Sequence, residues 1–320
     1  MILDKKILQE IKGDASFRSF FRKKEKKKTS IIVYVKREKK KNLLIYDAIN
    51  KILNKNGIKA PRILSNNYNR NYIEIEDFGK ISIYAILKTK KNQFQVFKKI
   101  IFLLNKIQKI KEKKIKNFEK KNYILPIYSK KILFNEAKLF MEWYVPKNLA
   151  KKKALVLNKK LSNEIKYLLS KLKLKNDTFV HRDFHVSNLM KLKKKIGILD
   201  SQDAVYGNKA YDLASLIDDV RLKTSLKLKN SIYNYYVYLN KKKINKNHFR
   251  NDFEILSVLR NLKVIGIFTR LAVRDDKKSY LKLIPYAWKL IENRINNNLI
   301  FVDLKNYLDA NFSKKIRMKK

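Results

Sequence analysis

The sequence predicts an α+β chain of two lobes within one domain. A small antiparallel-sheet lobe is expected over residues 1–79 and a larger, mainly helical lobe over residues 80–320. Three observations predict this. The first eighty positions read as mixed α/β, with four short β-prone runs around one helix. Apolar residues recur at helical spacing through most of the remainder. One polar stretch, from His181 to Asp200, breaks the helical region with a hairpin pattern.

The elements follow in order. Phe17 to Arg22 and Ser30 to Lys36 are β-prone runs joined by a charged turn. Residues 42–56 place Leu44, Ile45, Ala48, Ile49, Ile52 and Leu53 on one helical face, and Gly57 ends the helix. Ala60 to Leu64 and Tyr72 to Glu76 add two short strands, and Asp77-Phe78-Gly79-Lys80 reads as a connector. Helices are then expected over 92–110, 129–143 and 158–172. They resume from Asp212 and close with 253–272 and 280–296. Leu213, Leu216, Ile217 and Val220 form an i, i+3, i+4, i+7 core stripe behind Asp212, a candidate helix cap.

Composition narrows the class. Hydrophobic residues make up 45% of 320 and aromatics 12%, enough for a sizeable core. The longest apolar runs, such as Ile100-Ile101-Phe102-Leu103-Leu104, are too short to span a bilayer. The N-terminus lacks the order of a secretory signal, and there is no cysteine. A cytoplasmic protein without a membrane partner is expected. Lys plus Arg number 77 against 28 acids, a net charge of +49. The excess is spread along the chain and is mostly lysine. It therefore reads as compositional drift, and a dedicated nucleic-acid partner is not expected.

The chemistry concentrates in His181-Arg182-Asp183-Phe184-His185-Val186-Ser187-Asn188. This H-x-D-x-x-x-x-N pattern resembles the catalytic loop of protein-kinase-like phosphotransferases. Asp183 is the candidate to orient an attacking hydroxyl and accept its proton. Asn188 and Asp200 are the candidate Mg²⁺ ligands, since that cation takes hard oxygen donors. Leu189 to Leu192 and Ile196 to Leu199 flank a lysine turn. A turn centred on Lys194 would set Asn188 opposite Asp200, with Cβ atoms roughly 5 Å apart. The expected fold is thus protein-kinase-like, with ATP and Mg²⁺ as cofactors.

The remaining candidates are less specific. Gly13-Asp14-Ala15-Ser16-Phe17-Arg18 suits either a loop over nucleotide phosphates or an ordinary turn. The first reading makes Ser16, Phe17 and Arg18 nucleotide-binding. Val33-Tyr34-Val35-Lys36 resembles the kinase strand that ends in a phosphate-gripping lysine, with Asp47 as a positional partner. Glu76, in the Glu74 to Asp77 stretch, would lie near the base or belong to a polar linker. Asp203 could face the acceptor or support the metal ligands. His185 and His248 lack a metal-ligand pattern, and zinc is not expected.

The catalytic loop and Ile198-Leu199-Asp200 together resemble the aminoglycoside phosphotransferase superfamily. Gly13 to Arg18, Leu199 to Ala204 with Gly207 and Tyr211-Asp212-Leu213, and Arg260 to Ala272 are similar to its bacterial N-acetylmuramate/N-acetylglucosamine kinase branch. The resemblance covers nearly the whole chain. It implies ATP-dependent phosphorylation of the anomeric hydroxyl of an amino sugar in cell-wall sugar recycling, with Arg260, Asn261 and Arg270 in the sugar pocket. A monomer acting on a small sugar is expected. Two alternatives stay open: a kinase of another small acceptor (an amino alcohol or an aminoglycoside), and a non-catalytic kinase-like RNA-binding or scaffold protein.

Overall fold

The computed structural model of the chain describes residues 8–11, 18–25 and 28–319. It divides into two compact units, Met1–Pro126 with Thr178–Val205, and Ile127–Asp177 with Tyr206–Lys320. The sequence-based division at residue 79 follows secondary-structure content. The compact units follow packing instead, so the segment 178–205, which carries the candidate catalytic loop, belongs with the N-terminal sheet.

In the first unit, β1 (Leu8–Ile11), β2 (Ser19–Glu25), β3 (Lys28–Tyr34), β4 (Ile63–Asn67) and β5 (Tyr72–Glu76) form one sheet. Its order is β1-β2-β3-β5-β4, and every pairing is antiparallel. β5 alternates cleanly, burying Ile73 and Ile75. β3 buries Ile31, Ile32 and Val33 in succession, as befits a central strand. The helix α1 (Lys41–Lys55) lays Leu43 and Tyr46 on Ile31, Val33, Val35, Ile73 and Ile75. Each such aliphatic burial contributes about 1.5–3 kcal/mol. Gly57, at φ +67°, ends α1 in the left-handed conformation, and Ile58 N–H returns to the Leu53 carbonyl at 3.0 Å.

Two helices follow, α2 (Ile83–Thr89) and α3 (Gln93–Ile107), each capped by a side chain, Ser82 and Asn92. α3 buries Phe97, Ile100, Ile101, Leu104 and Ile107. The hairpin β6 (Lys114–Lys116) with β7 (Asn122–Ile124) is a feature the helical reading of this region lacked. The chain later returns to this unit through β8 (Thr178–Val180), β9 (Leu189–Lys191) and β10 (Ile196–Ile198).

The second unit is helical apart from the end of β11 (Val205–Gly207). Its helices are α4 (Lys130–Leu139), α5 (Val145–Asn148), α6 (Lys151–Ser170), α7 (Tyr211–Ile217), α8 (Leu226–Asn240), α9 (Lys246–Arg274), α10 (Ile284–Ile295), α11 (Val302–Asn311) and α12 (Lys314–Arg317). The predicted helix over 129–143 is α4 continued by a π turn at Phe140–Tyr144. Gly266 on α9 explains the close approach there. A Cβ at this position would stand 2.3–2.5 Å from the Leu139–Phe140 backbone. The stripe Leu213, Leu216, Ile217 and Val220 is buried as expected. Asp218 is also buried, held by Lys229, Arg294 and Ser257. These partners outweigh the cost of burial and keep its pKa below the usual carboxylate value.

Candidate active site

The candidate catalytic loop follows β8 as a chain of tight turns. His185 N–H donates to the Asp183 carbonyl and Asn188 N–H to the His185 carbonyl, both at 3.0 Å. Phe184, Val186 and Leu189 are fully buried and anchor the loop from within. Asp183, Ser187 and Asn188 are left half-buried, while His185 between Phe184 and Val186 is itself buried. Arg182, at φ +72°, makes the left-handed step that begins the loop.

Asn188 is oriented by its neighbours. Its Nδ2 donates to the Asp183 carbonyl at 3.0 Å and lies 3.3 Å from His185 Nε2. His181 is fully buried, and its Nε2 donates to the Leu199 carbonyl at 3.1 Å. Burial lowers the His181 pKa, and the pull of Asp183, Asp200 and Asp203 only partly offsets it. The imidazole is therefore neutral, and it ties the start of the loop to the residue before Asp200.

The hairpin exists, but its register differs by one from the expected one. Ile196 faces Lys191, Gly197 faces Met190 and Ile198 faces Leu189. Leu192 N–H closes on the Lys195 carbonyl at 3.0 Å, so Lys193 and Lys194 form a two-residue turn. Two-residue loops are the commonest hairpin connection, whereas centring on Lys194 assumed three. Asn188 consequently faces Leu199, whose N–H donates to the Asn188 carbonyl at 2.9 Å. A one-residue slip normally sends a side chain to the opposite face. Asp200 departs from the strand at φ +61°, so strand alternation does not govern where its side chain points.

Asp200 meets a basic partner. The Arg18 guanidinium is buried, donating through Nη1 to Gln202 Oε1 at 2.6 Å and through Nη2 to Asp200 Oδ1. Gln202 Nε2 bridges Asp200 Oδ1 and Asp203 Oδ2, each at 3.1 Å. Ser201 Oγ donates to Asn50 Oδ1, and Asn50 Nδ2 donates to the Pro61 carbonyl at 2.9 Å. This peg fixes the Asp200 turn against α1. Tyr46, one helical turn before Asn50, has its pKa pushed up to about 12 by burial.

Beside these residues lies a cavity of about 490 Å³. Arg18, Glu76, Asp77, Gly79, Asn188 and Asp200 are among its walls. Arg22 clamps the connector after β5. Its Nε and Nη2 donate to Asp77 at 2.6 and 3.1 Å, and Nη2 also donates to the Gly79 carbonyl at 3.1 Å. Gly79 N–H donates to Asp77 Oδ1 at 2.8 Å, closing a turn that needs φ +84° at Gly79. Burial opposes ionisation of Asp77, yet the Arg22 hydrogen bonds prevail and its pKa falls. Glu76 behaves alike through Arg62. A Cβ on Gly197 would stand 2.6 Å from the Phe78 ring, so the missing side chain makes room for that connector residue.

The predicted residues are distributed unevenly. Arg18, Glu76, Asn188 and Asp200 line the cavity. Asp183 and Asp203 act on the same buried His181. Asp203 is exposed, and Arg182 Nη1 donates to its carbonyl at 3.3 Å. Ser16 and Phe17 lie outside the described residues. Lys36 is exposed beyond the end of β3 and is not among the cavity walls. Asp47 pairs with Lys51 at 2.8 Å. In the helical unit, Arg260 and Asn261 are buried on α9, with Asn261 Nδ2 donating to the Ser257 carbonyl at 2.9 Å. Burial, aided by Arg274, lowers the pKa of Arg270. Arg22, Asp77, Asn50 and Gln202 were not singled out from sequence, because each acts through a partner on a distant segment.

The chain matches the model of the phosphotransferase enzyme family over residues 7–236. It belongs to that family. This phosphotransferase is 28% identical to an N-acetylmuramate/N-acetylglucosamine kinase of Neisseria meningitidis serogroup B, over 85% of this chain and 81% of that one. It is 27% identical to a protein of the same name from Pseudomonas aeruginosa, over 88% and 82%. Among solved structures it is similar to an amicoumacin kinase in complex with AMP-PNP, Ca²⁺ and Ami, at 11% identity and a TM-score of 0.61. That match covers 91% of this chain and 89% of the other. A Plasmodium vivax ethanolamine kinase gives 16% identity and a TM-score of 0.60, covering 92% and 84%. These likenesses show the fold to be the protein-kinase-like one. Among the described residues no helix is long and apolar enough to cross a membrane.

Proposed function

We propose that this phosphotransferase moves the γ-phosphoryl group of ATP, with Mg²⁺, to the anomeric hydroxyl of N-acetylmuramate or N-acetylglucosamine. The observation that carries the chemistry is the linkage of Asp183, Asn188 and Asp200 through one loop and one hairpin beside the cavity. The acceptor class is supported by four relatives of that name at 24–28% identity over most of both chains.

Mg²⁺ suits the donors present. Asn188 spends its Nδ2 on the Asp183 carbonyl, which leaves Oδ1 for a cation. Asp200 adds a carboxylate. Among the described residues no group of three or more His, Cys, Asp or Glu could hold a metal. One amide and one carboxylate fit a cation that keeps water and takes its other oxygens from phosphates. When bound, it neutralises charge on the transferring group.

The chain's own residues do the rest. Asp183 orients the acceptor oxygen and takes its proton. An anomeric hydroxyl is more acidic than an ordinary alcohol, so a carboxylate base suffices. His181, neutral and buried, keeps the loop and the Asp200 turn in fixed relation. Arg22 holds the connector Asp77 to Gly79, which lines the cavity and on this reading borders the nucleotide base. ATP consumption across a panel of N-acetylated sugars, amino alcohols and aminoglycosides tests the acceptor class. Turnover confined to the latter two would refute it.

A further inference from the structure

A guanidinium already holds the carboxylate proposed as a metal ligand. Arg18 Nη2 donates to Asp200 Oδ1, the side chain proposed to hold the divalent cation. Gln202 Nε2 donates to the same oxygen at 3.1 Å. Arg18 is buried, with its other terminal nitrogen on Gln202 Oε1 at 2.6 Å, so its guanidinium is aimed rather than dangling. Asp200 is less enclosed, with its side chain 38% exposed, so a cation can reach it. Arg18 and Asp200 both line the cavity read as the nucleotide site.

We propose that Arg18 competes with the divalent cation for Asp200, and that nucleotide phosphates resolve the competition by taking the guanidinium. The inference rests on the Mg²⁺–ATP reading of this cavity. A cation bound at Asp200 while Arg18 remains there puts like charges together in a partly desolvated place, which is costly. Phosphate oxygens offer Arg18 a bidentate partner of matching geometry. Once Arg18 turns to them, Asp200 is released to the metal. Metal and nucleotide therefore bind with positive coupling, each raising the affinity of the other by the same factor. The device keeps the bare metal from settling on Asp200 and makes the metal–nucleotide pair the preferred occupant.

The test is a double titration of the purified full chain with Mn²⁺ and ADP, without sugar. Mn²⁺ binding is read by electron paramagnetic resonance and ADP binding by calorimetry. In the wild type, ADP should tighten Mn²⁺ about tenfold or more. Arg18→Met should tighten Mn²⁺ in the absence of ADP, weaken metal-free ADP, and reduce the coupling. Arg18→Lys should lie between, keeping charge without the fork. Asp200→Asn should abolish the Mn²⁺ gain from Arg18→Met in the double variant. Thermal melts identify any variant that fails to fold, in which case Arg18→Lys and Gln202→Met carry the comparison. An Arg18→Met protein that binds Mn²⁺ no tighter than wild type, with coupling unchanged, overturns the proposal. Wild-type protein that binds neither probe overturns the Mg²⁺–ATP reading as well, a result plainly different from the first.

Discussion

Asn188 Nδ2 donates to the backbone carbonyl of Asp183 at 3.0 Å, so one candidate site residue shapes the turn that presents the other. The two halves of the amide have separable duties. Asn188→Leu removes both and should weaken apparent Mg²⁺ affinity about 10–100-fold while also lowering kcat. Asn188→Asp keeps an oxygen for the metal but faces the Asp183 carbonyl with an acceptor. It should hold Mg²⁺ dependence near wild type and still lose turnover. Equal Mg²⁺ requirements in the two variants would contradict the division.

Gly197 and Phe78 make a steric test of the cavity wall. Gly197→Ala places a methyl group 2.6 Å from the Phe78 ring, so the ring and its connector must move. A loss of about 1–3 kcal/mol in stability is expected from overpacking. The KM for ATP should rise more than the KM for sugar. Chemical denaturation and initial-rate kinetics measure the two effects, and unchanged ATP affinity would count against the placement of the base.

Arg22→Met strands Asp77, whose side chain is only 4% exposed. Leaving a buried carboxylate without its partner costs roughly 3–5 kcal/mol. The double variant Arg22→Met with Asp77→Asn should recover most of that stability but not ATP affinity, because Gly79 still loses its donor. Recovery of neither would show that the clamp is not the coupling between them.

Glu164, in the helical unit, gives a pH signature of its own. Burial, reinforced by Asp303, pushes its pKa up to about 7 from an unperturbed 4.5. An acid whose pKa rises on folding favours the folded state only while protonated. Its contribution is full below pH 4.5 and is lost as pH rises through about 7. Glu164→Gln should therefore raise Tm at pH 8 and have little effect at pH 4.5. A variant equally destabilised at both pH values would contradict the assignment.

What the sequence made legible was local. α1 ends at Gly57 because a left-handed residue stops a helix, and the stripe from Leu213 to Val220 is core because of its spacing. The turn-rich loop from His181 to Asn188, the candidate catalytic loop, stood out because its pattern lies in eight consecutive residues. Register was the first thing to slip, since two- and three-residue lysine turns look alike in a sequence with Lys193-Lys194-Lys195. Long-range partners were out of reach. Ser201 meets Asn50 across 151 positions, and Arg22 meets Asp77 across 55. Lys36 had no distinguishing mark among so many lysines, whereas Arg18, a rarer side chain, proved to line the cavity.

The most direct measurement is phosphorus NMR of the product formed from Mg²⁺–ATP and either N-acetyl sugar, with wild type and Asp183→Asn compared at equal fold stability. Wild type should yield the sugar 1-phosphate, and the variant should lose about 10²–10⁴-fold in rate while still binding ADP. Product phosphorylated elsewhere on the sugar, or a variant that turns over as fast as wild type, would contradict the assignment of Asp183 to an anomeric hydroxyl.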